Sequence, residues 1–146
     1  FNFPLGKIFI GDGGAYYVAF IIGVLIIKIF HTNDFINSWY AIIILIYPLL
    51  ELFFSIIRKM IFGISPLSAD RDHLHILIFR YLNKKYDKKI SNNLVIFYML
   101  PIISLPIINL LILSNYKISL FVIIAFSIFI YFFYYLLFYY FNSSSK

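Results

Sequence analysis

Four apolar runs, over about residues 15–30, 36–57, 94–113 and 119–141, alternate with short polar stretches along this 146-residue chain. A helix needs roughly 17–25 residues to cross a bilayer. The pattern therefore predicts an all-α, polytopic membrane protein with about four transmembrane helices. The first run is short and carries one charge, Lys28, near an end where its stem can reach headgroups. The second contains Pro48 and, three residues on, Glu51. Proline removes a backbone donor and bends a helix. The segment beyond it is expected to bend toward polar groups, or else Glu51 sits neutral or snorkelling in the interfacial zone. The third run holds Pro101 and Pro106, and the fourth is dense in Phe and Tyr. Its tyrosines from Tyr131 onward read as interface residues and core filler.

Between the runs, His31-Thr32-Asn33-Asp34 and Ser114-Asn115-Tyr116-Lys117 read as tight connections, with Asp34 a turn residue, and Ser143 to Lys146 as a tail. Residues 58–93 form the only substantial loop, within which Ile76 to Leu82 reads as an interfacial helix. Residues 1–14 are a glycine-rich lead-in. Three glycines around Asp12 disfavour a long helix and suit a turn where backbone approaches a ligand closely.

Composition supports the membrane reading. The chain is 63% hydrophobic with a mean hydropathy of +0.95, well above soluble domains. It has no cysteine, which excludes a disulfide framework and thiolate metal sites. The net charge is +6, and its distribution is more informative than its sum. Eight of the twelve Lys and Arg fall in the 58–93 loop, which the positive-inside rule assigns to the cytoplasm. Lys84-Lys85 and Lys88-Lys89 fit a topology signal drawn to anionic lipid rather than a nucleic-acid patch. Two spans back, residues 1–14 return to the same face. The chain starts at Phe1 without an initiator methionine or signal-type segment and is read as the C-terminal part of a longer protein.

The candidate chemistry lies in Ser65 to His75, the most polar stretch, with two of the three histidines and two of the six acids. Arg71, His73 and His75 suit an anion cradle, because arginine offers a planar donor fork and histidine can donate to phosphate oxygens. The alternatives are a zinc site, weakly signalled by His-x-His, and a solvated loop touching headgroups. Asp12 either joins a Mg²⁺ site with substrate phosphates or caps the adjoining helix. Asp70 and Asp72 either orient Arg71 or cap the next helix.

These residues resemble a known family. Phe9-Ile10-Gly11-Asp12-Gly13-Gly14 is similar to the F-x-G-D-x-G segment of the polyprenyl-phosphate N-acetylhexosamine-1-phosphate transferases. The stretch from Pro48 and Glu51 through Arg58-Lys59 to Gly63 and Ser65–His75 is similar to that family's last cytoplasmic loop. The likeness covers about residues 3–82 and is nearest the WecA/TagO-like branch, with the MraY branch more distant. It implies transfer of a sugar 1-phosphate from a UDP-N-acetylhexosamine, by default UDP-GlcNAc, to undecaprenyl phosphate with release of UMP. It implies Mg²⁺ (or Mn²⁺) as cofactor, and a bacterial plasma membrane location. It also implies site roles: Asp12 as metal ligand, His73 and His75 as catalytic histidines, and Arg71, Arg58 and Lys59 on the substrate. A homodimer is an open expectation. The chain has Ile76 where the family often has a further histidine and Glu51 where it has aspartate. The family's paired aspartates lie ahead of the matched region, so this stretch alone is expected to be inactive. The alternative from another class is a non-catalytic membrane protein, a transporter subunit or assembly partner, with a lipid-binding basic loop.

Overall fold

The computed structural model describes residues 10–33, 37, 39–113 and 120–143. The Asp34 turn, the 114–118 turn, the Ser144–Lys146 tail and most of the 1–14 lead-in lie outside the described residues. The described elements are all helical, and three of them are long and apolar enough to cross a membrane. The chain divides into two compact units, Phe1–Ile42 and Ile43–Lys146.

The first unit is dominated by α1 (Gly11–Thr32), which has no buried residue. Its 22 residues extend about 33 Å, close to the thickness of a bilayer's hydrocarbon core. The structure corrects the expected glycine turn: Gly11-Asp12-Gly13-Gly14 is the first turn of this helix. The non-helical geometry is confined to Gly11, whose φ of +65° only glycine adopts readily. Asp12 is not the cap either. Ile10 holds that position without a side-chain bond, and Asp12 lies inside the first turn, where the helix dipole favours a carboxylate. At the other end, the Thr32 hydroxyl donates to the Lys28 carbonyl at 2.8 Å and the Asn33 amide to that of Ile29 at 2.8 Å. These bonds satisfy carbonyls that a helix end leaves open.

The second apolar run, expected as one span, is two helices, α2 (Tyr40–Ile44) and α3 (Ile46–Ile61). Pro48 explains the break. It has no N–H to offer the Ile44 carbonyl, so the continuous ladder fails there, while proline is tolerated in the first turn of α3. Beyond the break α3 is two-faced. Glu51, Ser55 and Lys59, four residues apart, are buried on one side. Leu52, Phe53, Ile57, Met60 and Ile61 are exposed on the other.

Helix α4 (Leu74–Leu82) is short but central. Leu74, Leu77, Ile78 and Leu82 form one stripe, and none is more than 2% exposed. They pack with Met99 and Ile102 of α5 (Lys88–Leu113) and Tyr131, Tyr135 and Phe138 of α6 (Leu120–Ser143). The expected interfacial helix is therefore a core element: its apolar face meets other helices rather than lipid. Helix α5 begins at Lys88, within the basic cluster, and accommodates Pro101 and Pro106. Neighbouring groups in a helical bundle can re-satisfy the backbone that proline frees. Asn142, at the end of α6, donates to the Leu77 carbonyl at 2.9 Å and ties α6 to α4.

Candidate functional site

The site is built on the polar face of α3. The helix ends in a Schellman turn: Gly63 N–H donates to the Met60 carbonyl at 3.1 Å and Ile64 N–H to that of Lys59 at 2.8 Å. Gly63 takes the left-handed conformation the motif requires, with φ +67°. A turn comes next, in which Ser68 N–H donates to the Ser65 carbonyl at 3.0 Å across Pro66. The chain then runs back along α3 toward its N-terminus, and the polar residues of α3 fasten it step by step.

Lys59 comes first. Its buried ammonium donates to the Pro66 carbonyl at 3.1 Å and also to the Ser68 carbonyl. Arg58 donates to both Asp70 carboxylate oxygens at 2.6 Å and pairs with Asp72 at 3.0 Å. The Ser55 hydroxyl also donates to Asp70. Burial alone would raise the Asp70 carboxyl, but Arg58, Ser55 and the Asp72 N–H outweigh it and hold Asp70 well below the usual carboxylate range. Glu51 completes the series. It accepts from His73 Nδ1 at 2.7 Å and from the Leu74 N–H at 3.0 Å, and from the Tyr47 hydroxyl at 3.2 Å. The Leu74 bond caps α4, whose N-cap residue, His73, makes no capping bond of its own.

A carboxylate has no proton to give, so the short bond to Glu51 requires a hydrogen on His73 Nδ1. In the neutral ring this leaves Nε2 as the unprotonated nitrogen. The nearest carboxylate oxygen to Nε2, on Asp70, is 4.0 Å away, beyond hydrogen-bond reach. His75 stacks on His73 with ring centres 5.6 Å apart and planes 9° from parallel. Partial burial pulls the His75 imidazole below its ordinary value; Glu51 opposes this and His73 adds to it. Arg71 is exposed, and its guanidinium has no ion pair among the described residues. Its carbonyl accepts from Arg80 at 2.8 Å, and Arg80 also binds Asp72 at 3.0 Å.

Five of the six candidate residues thus fall in the second unit: Arg58 and Lys59 on α3, Arg71 and His73 on the segment fastened to it, and His75 in the first turn of α4. His73, His75 and Arg71 present groups that can meet an anion. Arg58 and Lys59, expected on the substrate, are engaged internally as the anchors of that segment. Asp70 and Asp72 orient Arg58 and Arg80, not Arg71. Asp12 belongs to the first unit, where its carboxylate is exposed and unpaired among the described residues. Sequence reasoning picks out Glu51 as a charged residue in the second run and as part of the family likeness but gives it no role toward His73, and it passes over Ser55. The four-residue spacing of Tyr47, Glu51, Ser55 and Lys59 within an apolar run is the signal that points to them.

Among the described residues, no three histidine or carboxylate side chains group as a metal site. A lone free carboxylate such as Asp12 fits an ion whose other ligands are water and substrate phosphates, and it does not make a metal centre by itself.

The site and fold define an all-helical membrane protein with a histidine–arginine cluster held on a polar helix face. The chain is 33% identical over 75 residues to an undecaprenyl-phosphate alpha-N-acetylglucosaminyl 1-phosphate transferase of Yersinia pestis. The match takes in 51% of this chain and 20% of that relative, so the chain spans about a fifth of the length of the curated relative it matches. No family model matches the chain, and no solved structure does.

Proposed function

We propose that this chain is part of a polyprenyl-phosphate sugar-1-phosphate transferase of the bacterial plasma membrane, with the 62–75 segment facing the cytoplasm. An oxygen of undecaprenyl phosphate attacks the sugar-bearing phosphorus of a UDP-N-acetylhexosamine, with UDP-GlcNAc as the default donor. The bond to the uridylyl phosphate breaks, UMP leaves, and a lipid-linked sugar diphosphate forms. The observation that carries this reading is the Glu51–His73 pair with His75 stacked beside it, two residues from an unpaired arginine. The likeness to the Yersinia pestis transferase supports it.

Each group has a task in this reading. Arg71 supplies a planar fork for the diphosphate oxygens. His73 and His75 contact the same phosphates, and Glu51 fixes which nitrogen of His73 is free to do so. Arg58 and Lys59 position these groups by fastening the segment to α3. Mg²⁺, or Mn²⁺ in its place, would supply charge neutralisation of the diphosphate, with Asp12 as this chain's carboxylate toward it.

The test is transfer of labelled sugar phosphate from several UDP-N-acetylhexosamines to undecaprenyl phosphate by membranes containing the intact protein. The expected result is a labelled lipid product that falls strongly in Asp12→Asn and His73→Ala variants inserted at normal levels. Absence of product from every donor, or full activity in both variants, refutes the reading.

A further inference from the structure

Arg71 can meet an anion only while its charge is unspent, yet its two neighbours in sequence are carboxylates, Asp70 and Asp72. An arginine side chain is long and flexible, and its planar fork matches a carboxylate well. A pair of that kind would close the site to an anion. Other partners hold both carboxylates instead.

Asp70 takes Arg58 on both oxygens, with the Ser55 hydroxyl and the Asp72 N–H beside it. Asp72 divides its oxygens between two helices. Oδ2 takes Arg58 of α3 at 3.0 Å, and Oδ1 takes Arg80 of α4 at 3.0 Å. A second nitrogen of Arg80 donates to the Arg71 carbonyl at 2.8 Å. One guanidinium thus grips the backbone of Arg71 and the side chain of the residue after it. Arg80 stands outside the buried stripe of α4, and its side chain is 42% exposed.

An exposed ion pair by itself is worth little, and a network of charges is worth more. Arg58 and Arg80 face Asp70 and Asp72, two positive charges against two negative. Lys59 spends its protons on backbone carbonyls. The network is balanced, so it exerts no net pull on Arg71. Without Arg80 it would hold one positive charge against two negative. The surplus carboxylate would then lie next to Arg71 and attract it.

We propose that Arg80 is a positioning residue that keeps the Arg71 guanidinium free for an anionic ligand. It does so by occupying the carboxylate that would otherwise pair with Arg71, while its bond to the Arg71 carbonyl fixes the backbone that carries the fork. Its effect on a substrate diphosphate rests on the transferase reading, whereas the unpaired state of Arg71 does not.

The experiment uses membranes containing the intact protein and takes two readouts. The first is the rate at which phenylglyoxal, a reagent that ion-paired arginines resist, labels Arg71, followed by peptide mass spectrometry. The second is KM and kcat for sugar-phosphate transfer from UDP-GlcNAc. In Arg80→Met, Arg71 is expected to label several-fold more slowly than in wild type, and KM to rise several-fold with kcat little changed. Adding Asp72→Asn removes the freed carboxylate and leaves Arg58 balanced by Asp70, so both readouts should return toward wild type. A merely structural loss would loosen the segment and speed the labelling, and the second substitution would not repair it. Unchanged or faster labelling of Arg71 in Arg80→Met, or no recovery in the double variant, overturns the proposal. If wild type transfers no sugar phosphate, the transferase reading falls, and the labelling series still decides whether Arg80 keeps Arg71 free.

Discussion

Replacing Glu51 with glutamine tests the site at the atom where its chemistry is set. The carboxylate uses its two oxygens differently: Oε1 accepts from Tyr47 and the Leu74 N–H, and Oε2 accepts from His73 Nδ1. A glutamine with its carbonyl at the Oε1 position keeps the first two bonds and the cap on α4. Its amide nitrogen then faces Nδ1, donor against donor, unless the imidazole moves its proton to Nε2. The fold is therefore retained while the exposed nitrogen of His73 changes from acceptor to donor. A hydrogen bond to a charged group is worth about 1.5–3 kcal/mol. At about 1.4 kcal/mol per tenfold in rate, the loss corresponds to a kcat lower by about 10- to 150-fold, with less change in KM. Two measurements check this: the initial rate of labelled sugar-phosphate transfer, and the imidazole ¹⁵N resonances, which distinguish the tautomers. A Glu51→Gln protein with wild-type rate and an unchanged His73 tautomer would refute the argument that Glu51 acts through His73.

Three further outcomes are expected from the way the 62–72 segment is held. Lys59→Met removes the ammonium that binds the Pro66 and Ser68 carbonyls; it should cost about 1–3 kcal/mol, seen as a lower melting temperature in detergent and faster proteolysis between residues 62 and 72. Gly63→Ala keeps every side chain but forces a residue with a Cβ into the left-handed conformation; a loss of about 1–2 kcal/mol is expected in the same melt. Asp70 has a depressed folded-state pKa, so its stabilisation is complete above the ordinary carboxylate value and disappears as pH falls through the lower folded value. Asp70→Asn should therefore melt lower than wild type at neutral pH, and the gap should narrow in strong acid; a gap that stays constant with pH contradicts the ion-pair account.

The long helices are legible in the sequence because hydropathy alone specifies them: α1, α5 and α6 each contain a run that lipid-like surroundings satisfy without a partner. Features that depend on contacts across the chain are not. Helix α4 has the same apolar residues whether it lies on a bilayer surface or in a bundle, and only the helices around it decide. Pro48 is readable as a perturbation, but whether it bends a helix or divides it depends on how the Ile44 carbonyl is satisfied and on how the α3 residues after it pack. The glycines around Asp12 point locally to a turn, yet a single positive φ at Gly11 absorbs that preference and the helix begins at once. Arg58 and Lys59 are readable as charge, though nothing local separates a substrate contact from an anchor. Their partners, Asp70, Pro66 and Ser68, approach them only when the chain reverses at Gly63.

A buried polar stripe on a helix whose opposite face is apolar needs a physical reason, because each buried polar or charged group is costly unless paired. Here the reason is collective. Lys59 binds Pro66 and Ser68, Arg58 and Ser55 meet at Asp70 with Arg58 also on Asp72, and Glu51 binds His73 and Leu74. The order of the bonds along α3 is the reverse of their order along the segment, as two antiparallel strings require. Sliding one past the other by a residue would break every bond together and leave two carboxylates and two cations buried without partners. Register is thus fixed by the whole series and not by any single contact. The position of His73 is set jointly by Glu51, by a lysine two turns farther along α3, and by a glycine beyond the end of that helix.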